Sequence, residues 1–279
     1  MDVVIAGDFV IYDLNDDGTG VITEITERKN YLSRKAPKIK GGLDRGERYE
    51  QVVASNIDHV YIVSSTIRPE FNNRFVDRMI VAAQSNNLPV SLVINKTDLL
   101  PANDFQYWVN IYKDAGYDVF LTSTVKNKGI RELKKEISGN TNIFWGYSGV
   151  GKSSLINAMF PEMSLKTGDI SDYSNKGKHT TVTALLIKVD ENTFLVDTPG
   201  IRELDPYGIR KEDLSHYFNE FAEIMNDCRF NTCTHHHEPG CAVIEAVENG
   251  TVSVERYGSY LNILENIEED MCFQVRSKK

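Results

Sequence analysis

Nine residues constrain this chain more than any others: Gly146-Tyr147-Ser148-Gly149-Val150-Gly151-Lys152-Ser153-Ser154. They match the spacing G-x-x-x-x-G-K-[ST], with an apolar strand-like run at 143–145 before them and a helix-forming stretch at 155–160 after them. Such a unit folds as strand, tight glycine loop and helix. Glycines let backbone N–H groups approach phosphate oxygens closely, and the helix N-terminus favours their negative charge. In that setting Lys152 reaches the β- and γ-phosphates, and the Ser153 hydroxyl is an expected ligand to Mg²⁺. Residues 146–154, Ser154 included, form one candidate nucleotide-binding group.

The surrounding pattern agrees with an α/β fold. Short buried-strand runs at 60–63, 90–94, 118–121, 143–145, 184–189 and 193–196 alternate with helix-spaced stretches around 75–83, 105–115 and 130–137. This alternation predicts a mostly parallel sheet with helices on both faces. Residues 1–56 instead carry short alternating runs between turn-rich pieces such as Asn15-Asp16-Asp17-Gly18, the pattern of a small antiparallel β domain. After about residue 205 the chain reads as helical and acidic, interrupted by a Cys/His cluster. With 279 residues, 41% of them hydrophobic, the chain has material for more than one core. No apolar run is long enough to span a bilayer, and no export signal opens the chain, so a cytoplasmic protein without membrane association is expected.

Two further motifs bear on the nucleotide. Asp197-Thr198-Pro199-Gly200 ends the last strand, where a carboxylate can hold Mg²⁺ and the Gly200 N–H can bond a γ-phosphate. Asn95-Lys96-Thr97-Asp98 follows the strand at 90–94; the Asp98 carboxylate can accept both N1–H and N2–H of guanine, a donor pair adenine lacks. Together with the glycine loop this points to GTP and GDP and argues against a kinase or ATPase. Thr122-Ser123-Thr124 closes the third strand, and Ser123 and Thr124 are placed to line a base pocket. The base motif precedes the glycine loop, the reverse of the common GTPase order, so the domain is expected to be circularly permuted.

Lys176-Gly177-Lys178-His179-Thr180-Thr181 lies between the glycine loop and Asp197 and reads as a loop that closes over a γ-phosphate, with Thr180 or Thr181 near Mg²⁺. Ile201, after Gly200, cannot orient water; His179 is the best available group to do so, although a solvated loop histidine is the alternative. Cys228, Cys233 and Cys241 with a histidine form a three-thiolate, one-imidazole set suited to a structural zinc ion; spacing alone leaves His235, His236 and His237 open. The net charge is −9, yet residues 28–48 carry eight basic and two acidic side chains, net +6, leaving −15 for the rest. This basic stretch is a candidate contact for nucleic-acid phosphates.

These features together resemble one family, the circularly permuted bacterial GTPases known as RsgA or YjeQ. The likeness rests on the permuted order, on Gly-Tyr-Ser-Gly-Val-Gly-Lys-Ser-Ser, Gly-Lys-His-Thr-Thr and Cys-x₄-Cys-x-His-x₅-Cys, and on Gly7-Asp8-Phe9-Val10, Glu27-Arg28-Lys29-Asn30 and Asn56-Ile57-Asp58. It implies an N-terminal OB-fold barrel (1–56), a circularly permuted P-loop GTPase domain (57–205) and a C-terminal helical zinc-binding domain (206–279). It also assigns the zinc ligands to Cys228, Cys233, His235 and Cys241, and supports His179 as the hydrolytic residue. As partners it implies the small ribosomal subunit and its 16S rRNA. The family's barrel has about two strands before the Gly-Asp-x-Val turn that this sequence does not include, so a truncated chain or an incomplete barrel is expected; Asp197-Thr198 replaces the more usual Asp-Ser, and Thr124 replaces Ala. The expectation is therefore a monomeric, subunit-stimulated GTP hydrolase with GTP/GDP, Mg²⁺ and one structural Zn²⁺. The competing expectation is a nucleotide-gated RNA-binding module in which hydrolysis is incidental.

Overall fold

The computed structural model describes residues 3–36, 49–163, 184–197 and 207–267. The N-terminal part contains β1 (Val10–Leu14), β2 (Gly20–Ile25), β3 (Tyr31–Lys35) and β4 (Glu50–Ser55). β1 pairs antiparallel with β2, and β3 pairs antiparallel with β4; Ala6 bridges to Ala54. The short motifs of this region converge on one polar clasp. The Asp8 carboxylate accepts from Arg28 Nε at 2.7 Å, Ser55 Oγ at 2.6 Å and the Ile5 N–H at 2.9 Å. Asn30 and Ile57 exchange two hydrogen bonds of 2.8 Å, while Asn56 takes one from the Lys29 N–H. Asp58 accepts the Thr141 N–H at 2.9 Å, which fastens this region to the central sheet.

The central sheet has six strands in the order β7-β6-β5-β8-β10-β9. Here β5 is His59–Ser65, β6 Val90–Asn95, β7 Asp118–Leu121, β8 Thr141–Trp145, β9 Leu185–Asp190 and β10 Thr193–Asp197. Among the described residues all neighbouring pairs are parallel except β9 with β10, so the antiparallel strand β9 lies at an edge. Side chains alternate across this sheet as the period of two requires. Val60, Ile62, Leu92, Ile94 and Trp145 face α1 (Asn73–Gln84) and α2 (Ala102–Asp114), while Tyr61, Val63, Val93 and Phe144 face α3 (Ile130–Ile137) and α4 (Lys152–Met159). Each fully buried aliphatic side chain here contributes about 1.5–3 kcal/mol. The strands and helices fall where the apolar periodicity places them, within a few residues.

The C-terminal part differs from the helical expectation in detail. The segment before the cysteines is built of 3₁₀ turns at Lys211–Tyr217, Asn219–Phe221 and Met225–Asp227, followed by α5 (Ala242–Glu248) and α6 (Val254–Asn266). With three residues per turn, side chains at i and i+3 eclipse. Phe218, extended between two of these turns, stacks on Phe221 at 5.2 Å, and Tyr260 of α6 packs edge-on against both. α1 is shared between the two cores: Val76, Met79 and Ile80 face the sheet, and Val81 joins the C-terminal core. The expected boundary after residue 56 falls between β4 and β5; the one after residue 205 lies outside the described residues. Among the described residues no helix is long and apolar enough to cross a membrane.

Candidate functional site

The parallel strands deliver their motifs to one edge of the sheet. Asn95 is the last residue of β6, Ser123 and Thr124 follow β7, the glycine loop follows β8, and Asp197 ends β10. In doubly wound sheets, ligands bind outside the carboxyl ends of the strands. The permuted chain order does not alter this placement, because the sheet order decides which strand ends are neighbours.

The glycine loop is held by steric and polar contacts. A Cβ at Gly146 would lie 2.0 Å from the Val63 carbonyl oxygen, so only glycine lets β8 pass β5 at that point. Gly151 has φ +100°, and a Cβ there would lie 2.3 Å from Asn95 Nδ2. It also starts α4 without a side-chain cap, so the first helical N–H groups are left for a ligand at the loop. The Lys152 ammonium lies across the loop and donates to the carbonyls of Gly146 (2.7 Å) and Tyr147 (2.9 Å). Ser153 and Ser154 occupy the first turn of α4, half-buried, whereas Ser148 is exposed.

The base motif is braced to that loop. Asn95 donates through Nδ2 to the Val150 carbonyl at 3.0 Å and accepts from Thr122 Oγ1 at 3.2 Å. Lys96, at φ +61°, directs its ammonium to the Gly149 carbonyl at 2.6 Å and to that of Arg68. The Thr97 hydroxyl donates to the Thr122 carbonyl at 3.0 Å. Ser123 Oγ donates to the Asp98 carboxylate and accepts the Lys126 N–H at 3.0 Å, which fixes the carboxylate beside the β7 loop. Asn95, Lys96, Asp98, Ser123 and residues 146–154 therefore form one contiguous group, with Thr124 half-buried next to Ser123. Tyr147 carries a contact that its motif position does not reveal: its ring stacks on Phe75 of α1 at 3.7 Å. His179, Thr180, Thr181 and Gly200 lie outside the described residues, as do Lys38, Lys40, Arg45 and Arg48 of the basic stretch; Asp197 is described only as the end of β10.

Cys228, Cys233, His235 and Cys241 place four ligand atoms within 4.8 Å of one another. Tetrahedral zinc, with Zn–S near 2.3 Å and Zn–N near 2.05 Å, implies S···S and S···N edges of about 3.8 and 3.6 Å. The observed edges are 3.9 Å for Cys228–Cys241, 3.5 Å for Cys228–His235 and 3.4 Å for Cys241–His235, measured to Nδ1. Burial pushes the Cys233 thiol up to about 12 and also raises Cys241, so holding these two sulfurs as thiolates calls for a cation. The group thus fits a zinc ion by both geometry and charge. Glu238 braces the ligand loop, accepting from the Thr234 N–H (2.8 Å) and hydroxyl (2.6 Å) and from the N–H groups of His236 and His237. Against the cost of burial, these bonds hold its carboxyl far below the usual range. His236 and His237 are exposed and stand outside the ligand set.

Sequence reasoning missed a buried ion network. Arg256 of α6 donates to Asp77 of α1 at 2.6 Å and bidentately to Glu220 at 2.7 and 3.0 Å, and Tyr112 donates to Asp77 at 2.9 Å. Asp77 and Arg256 are 179 positions apart, and no local pattern signals the pair.

Residues 25–207 match the model of the RsgA GTPase family. The small ribosomal subunit biogenesis GTPase RsgA of Phocaeicola vulgatus is 41% identical over 269 residues, spanning 95% of this chain and 84% of the relative. Its counterpart from Chlorobaculum parvum is 39% identical over 250 residues, spanning 90% of this chain and 79% of the relative. Among solved structures, YjeQ from Thermotoga maritima aligns at a TM-score of 0.75 and 34% identity over 94% of this chain and 84% of that one. YloQ, described as a circularly permuted GTPase, aligns at 0.71 and 26% identity over 100% of this chain and 83% of that one. The chain belongs to the RsgA GTPase family.

Proposed function

We propose that this GTPase acts in biogenesis of the small ribosomal subunit, binding it in the GTP form and leaving after hydrolysis to GDP and phosphate. The observation that carries the reading is the shared strand-end edge: a base motif containing Asp98 is hydrogen-bonded through Asn95 to a glycine loop containing Lys152. The relatives named for that subunit's biogenesis supply the partner.

In this reading residues 57–205 are the catalytic domain, flanked by an OB-type domain over 1–56 and a zinc domain over 206–279. Asp98 selects guanine, with Asn95, Lys96, Ser123 and Thr124 around the base. The 146–154 loop and Lys152 hold the phosphates, and the Gly200 N–H bonds the γ-phosphate. Ser153 and Asp197, with Thr180 or Thr181, hold Mg²⁺, which when bound neutralises charge on the transferring phosphoryl group. His179 orients the attacking water. One Zn²⁺ sits on Cys228, Cys233, His235 and Cys241 and is structural, since four protein ligands leave no open position. The basic stretch at 28–48 contacts 16S rRNA phosphates, so subunit binding weakens with salt. The chain works as a cytoplasmic monomer.

The test is His179→Ala with GTP and ATP as competing ligands. The expected result is wild-type GTP affinity, no measurable competition by ATP, and loss of subunit-stimulated turnover. Undiminished turnover removes the role of His179, and equal competition by ATP overturns the guanine reading.

A further inference from the structure

The first turn and a half of α1 touches two distant parts of the molecule at once. On one side Phe75 stacks on Tyr147, with ring centroids 3.7 Å apart and planes inclined by 24°. Tyr147 follows Gly146 directly in the glycine loop, so its ring moves with that loop. Gly146 is pressed against the Val63 carbonyl, and the Tyr147 carbonyl accepts from Lys152 at 2.9 Å. On the other side Asn73 donates to Ser259 Oγ (3.2 Å) and to the Glu255 carbonyl (3.4 Å), and Asp77 accepts from Arg256 at 2.6 Å; all three partners lie on α6. The Asp77 and Arg256 side chains are 0% and 1% exposed, so this joint cannot slide without breaking a buried ion pair.

α6 in turn grips the metal-ligand loop. The Tyr257 hydroxyl donates to the His235 carbonyl at 2.8 Å, and the Tyr260 hydroxyl donates to the Thr234 carbonyl at 2.6 Å. The Arg256 guanidinium lies 4.7 Å from the Phe218 ring and is paired with Glu220, which ties the 3₁₀ segment into the same joint. Side-chain contacts at each joint, linked along the backbones of α1 and α6, therefore connect the glycine loop to the Cys/His loop.

The geometry points to Phe75 as a positioning residue through which occupancy of the nucleotide site and the stability of α6 with its metal-ligand loop are coupled. This inference rests on the reading of the 146–154 loop as the nucleotide site. A ligand that orders the loop fixes Tyr147, Tyr147 fixes the first turn of α1, and α1 restrains α6. The coupling is reciprocal by linkage, so a partner that clamps the C-terminal domain tightens nucleotide binding by the same factor.

The experiment is amide hydrogen exchange on the full chain with zinc bound, with and without saturating Mg-GDP, following the peptide that covers 254–266. In the wild type, GDP is expected to slow exchange of that peptide about fivefold. In Phe75→Leu, at GDP raised to saturation, the slowing disappears, while Phe75→Tyr, which keeps the ring, restores it. Nucleotide affinity falls in Phe75→Leu and recovers in Phe75→Tyr. A wild type that binds GDP with no change in α6, or a Phe75→Leu variant with full wild-type slowing, overturns the coupling and leaves the nucleotide site standing. A wild type that binds no guanine nucleotide overturns both. If Phe75→Leu does not fold, the wild-type comparison with and without GDP still decides.

Discussion

Asn95 donates its side-chain amide to the main-chain carbonyl of Val150 at 3.0 Å, so the last residue of β6 and the glycine loop after β8 share one buried hydrogen bond. The two strands are not adjacent; β5 lies between them. The bond therefore fixes the separation between the Asn95-Lys96-Thr97-Asp98 motif and the glycine loop, the base and phosphate ends of the proposed site. That separation must suit one nucleotide, and it is independent of the order in which the chain visits the strands.

Gly151→Ala tests this brace. An added methyl group meets Asn95 Nδ2 at 2.3 Å and sits on a backbone at φ +100°, where a side chain is strained. Displacing Asn95 leaves the Val150 carbonyl without its buried donor, at a cost of about 1–3 kcal/mol. The expected outcome is a loss of guanine-nucleotide affinity of about tenfold or more, read by equilibrium titration, with the far-UV circular dichroism spectrum kept.

Asp98→Asn addresses base identity. An amide at this position presents a donor to the guanine N1–H and N2–H groups, whereas xanthine offers a carbonyl at C2. GTP affinity should fall by roughly two orders of magnitude, and xanthosine triphosphate should bind the variant better than GTP does. Unchanged GTP preference would show that Asp98 does not touch the base.

The Cys/His group is expected to carry stability. Chelation, or Cys233→Ser, should remove one zinc per chain and loosen α5 and α6, whose core includes Cys233 and Cys241. Loss of about 3 kcal/mol would lower the melting temperature by roughly 10 °C. Metal analysis alongside calorimetry checks both numbers. His236→Ala should leave both unchanged, because His236 lies outside the ligand set.

The N-terminal clasp has a defined acid response. Burial raises the Asp8 carboxyl, but hydrogen bonds from Arg28, Ser55 and Ile5 outweigh it and leave the pKa below its ordinary value of 3.8. A depressed carboxyl contributes stability above its unfolded value and loses it as pH falls through the folded one. Stability of the N-terminal region should therefore hold near neutrality and decline below about pH 4. Asp8→Asn should cost about 3 kcal/mol at pH 7 and flatten that decline, as followed by urea unfolding at several pH values.

The strands and the glycine loop were legible because their signals are local: apolar runs such as 60–63 and 90–94, and glycine spacing at 146–151. The Cys/His set was legible in part, since spacing identified the cysteines but not which histidine joins them; burial of His235 beside Cys228 and Cys241 separates it from His236 and His237. The α1–α6 joint was not legible. Asp77 and Arg256 carry no local signal, and only the tertiary fold brings them together and removes water. Tyr147 was read only as a member of the loop motif; its stacking on Phe75 depends on where α1 crosses the strand ends. The 3₁₀ turns before the cysteines escaped for another reason: their spacing of apolar residues at three and four is shared with α-helices.

The most direct test of the whole account is GTP turnover by the purified protein alone, with small ribosomal subunits, and with large subunits. The account predicts slow turnover alone and strong stimulation by the small subunit only. Equal stimulation by both subunits, or none by either, would contradict it.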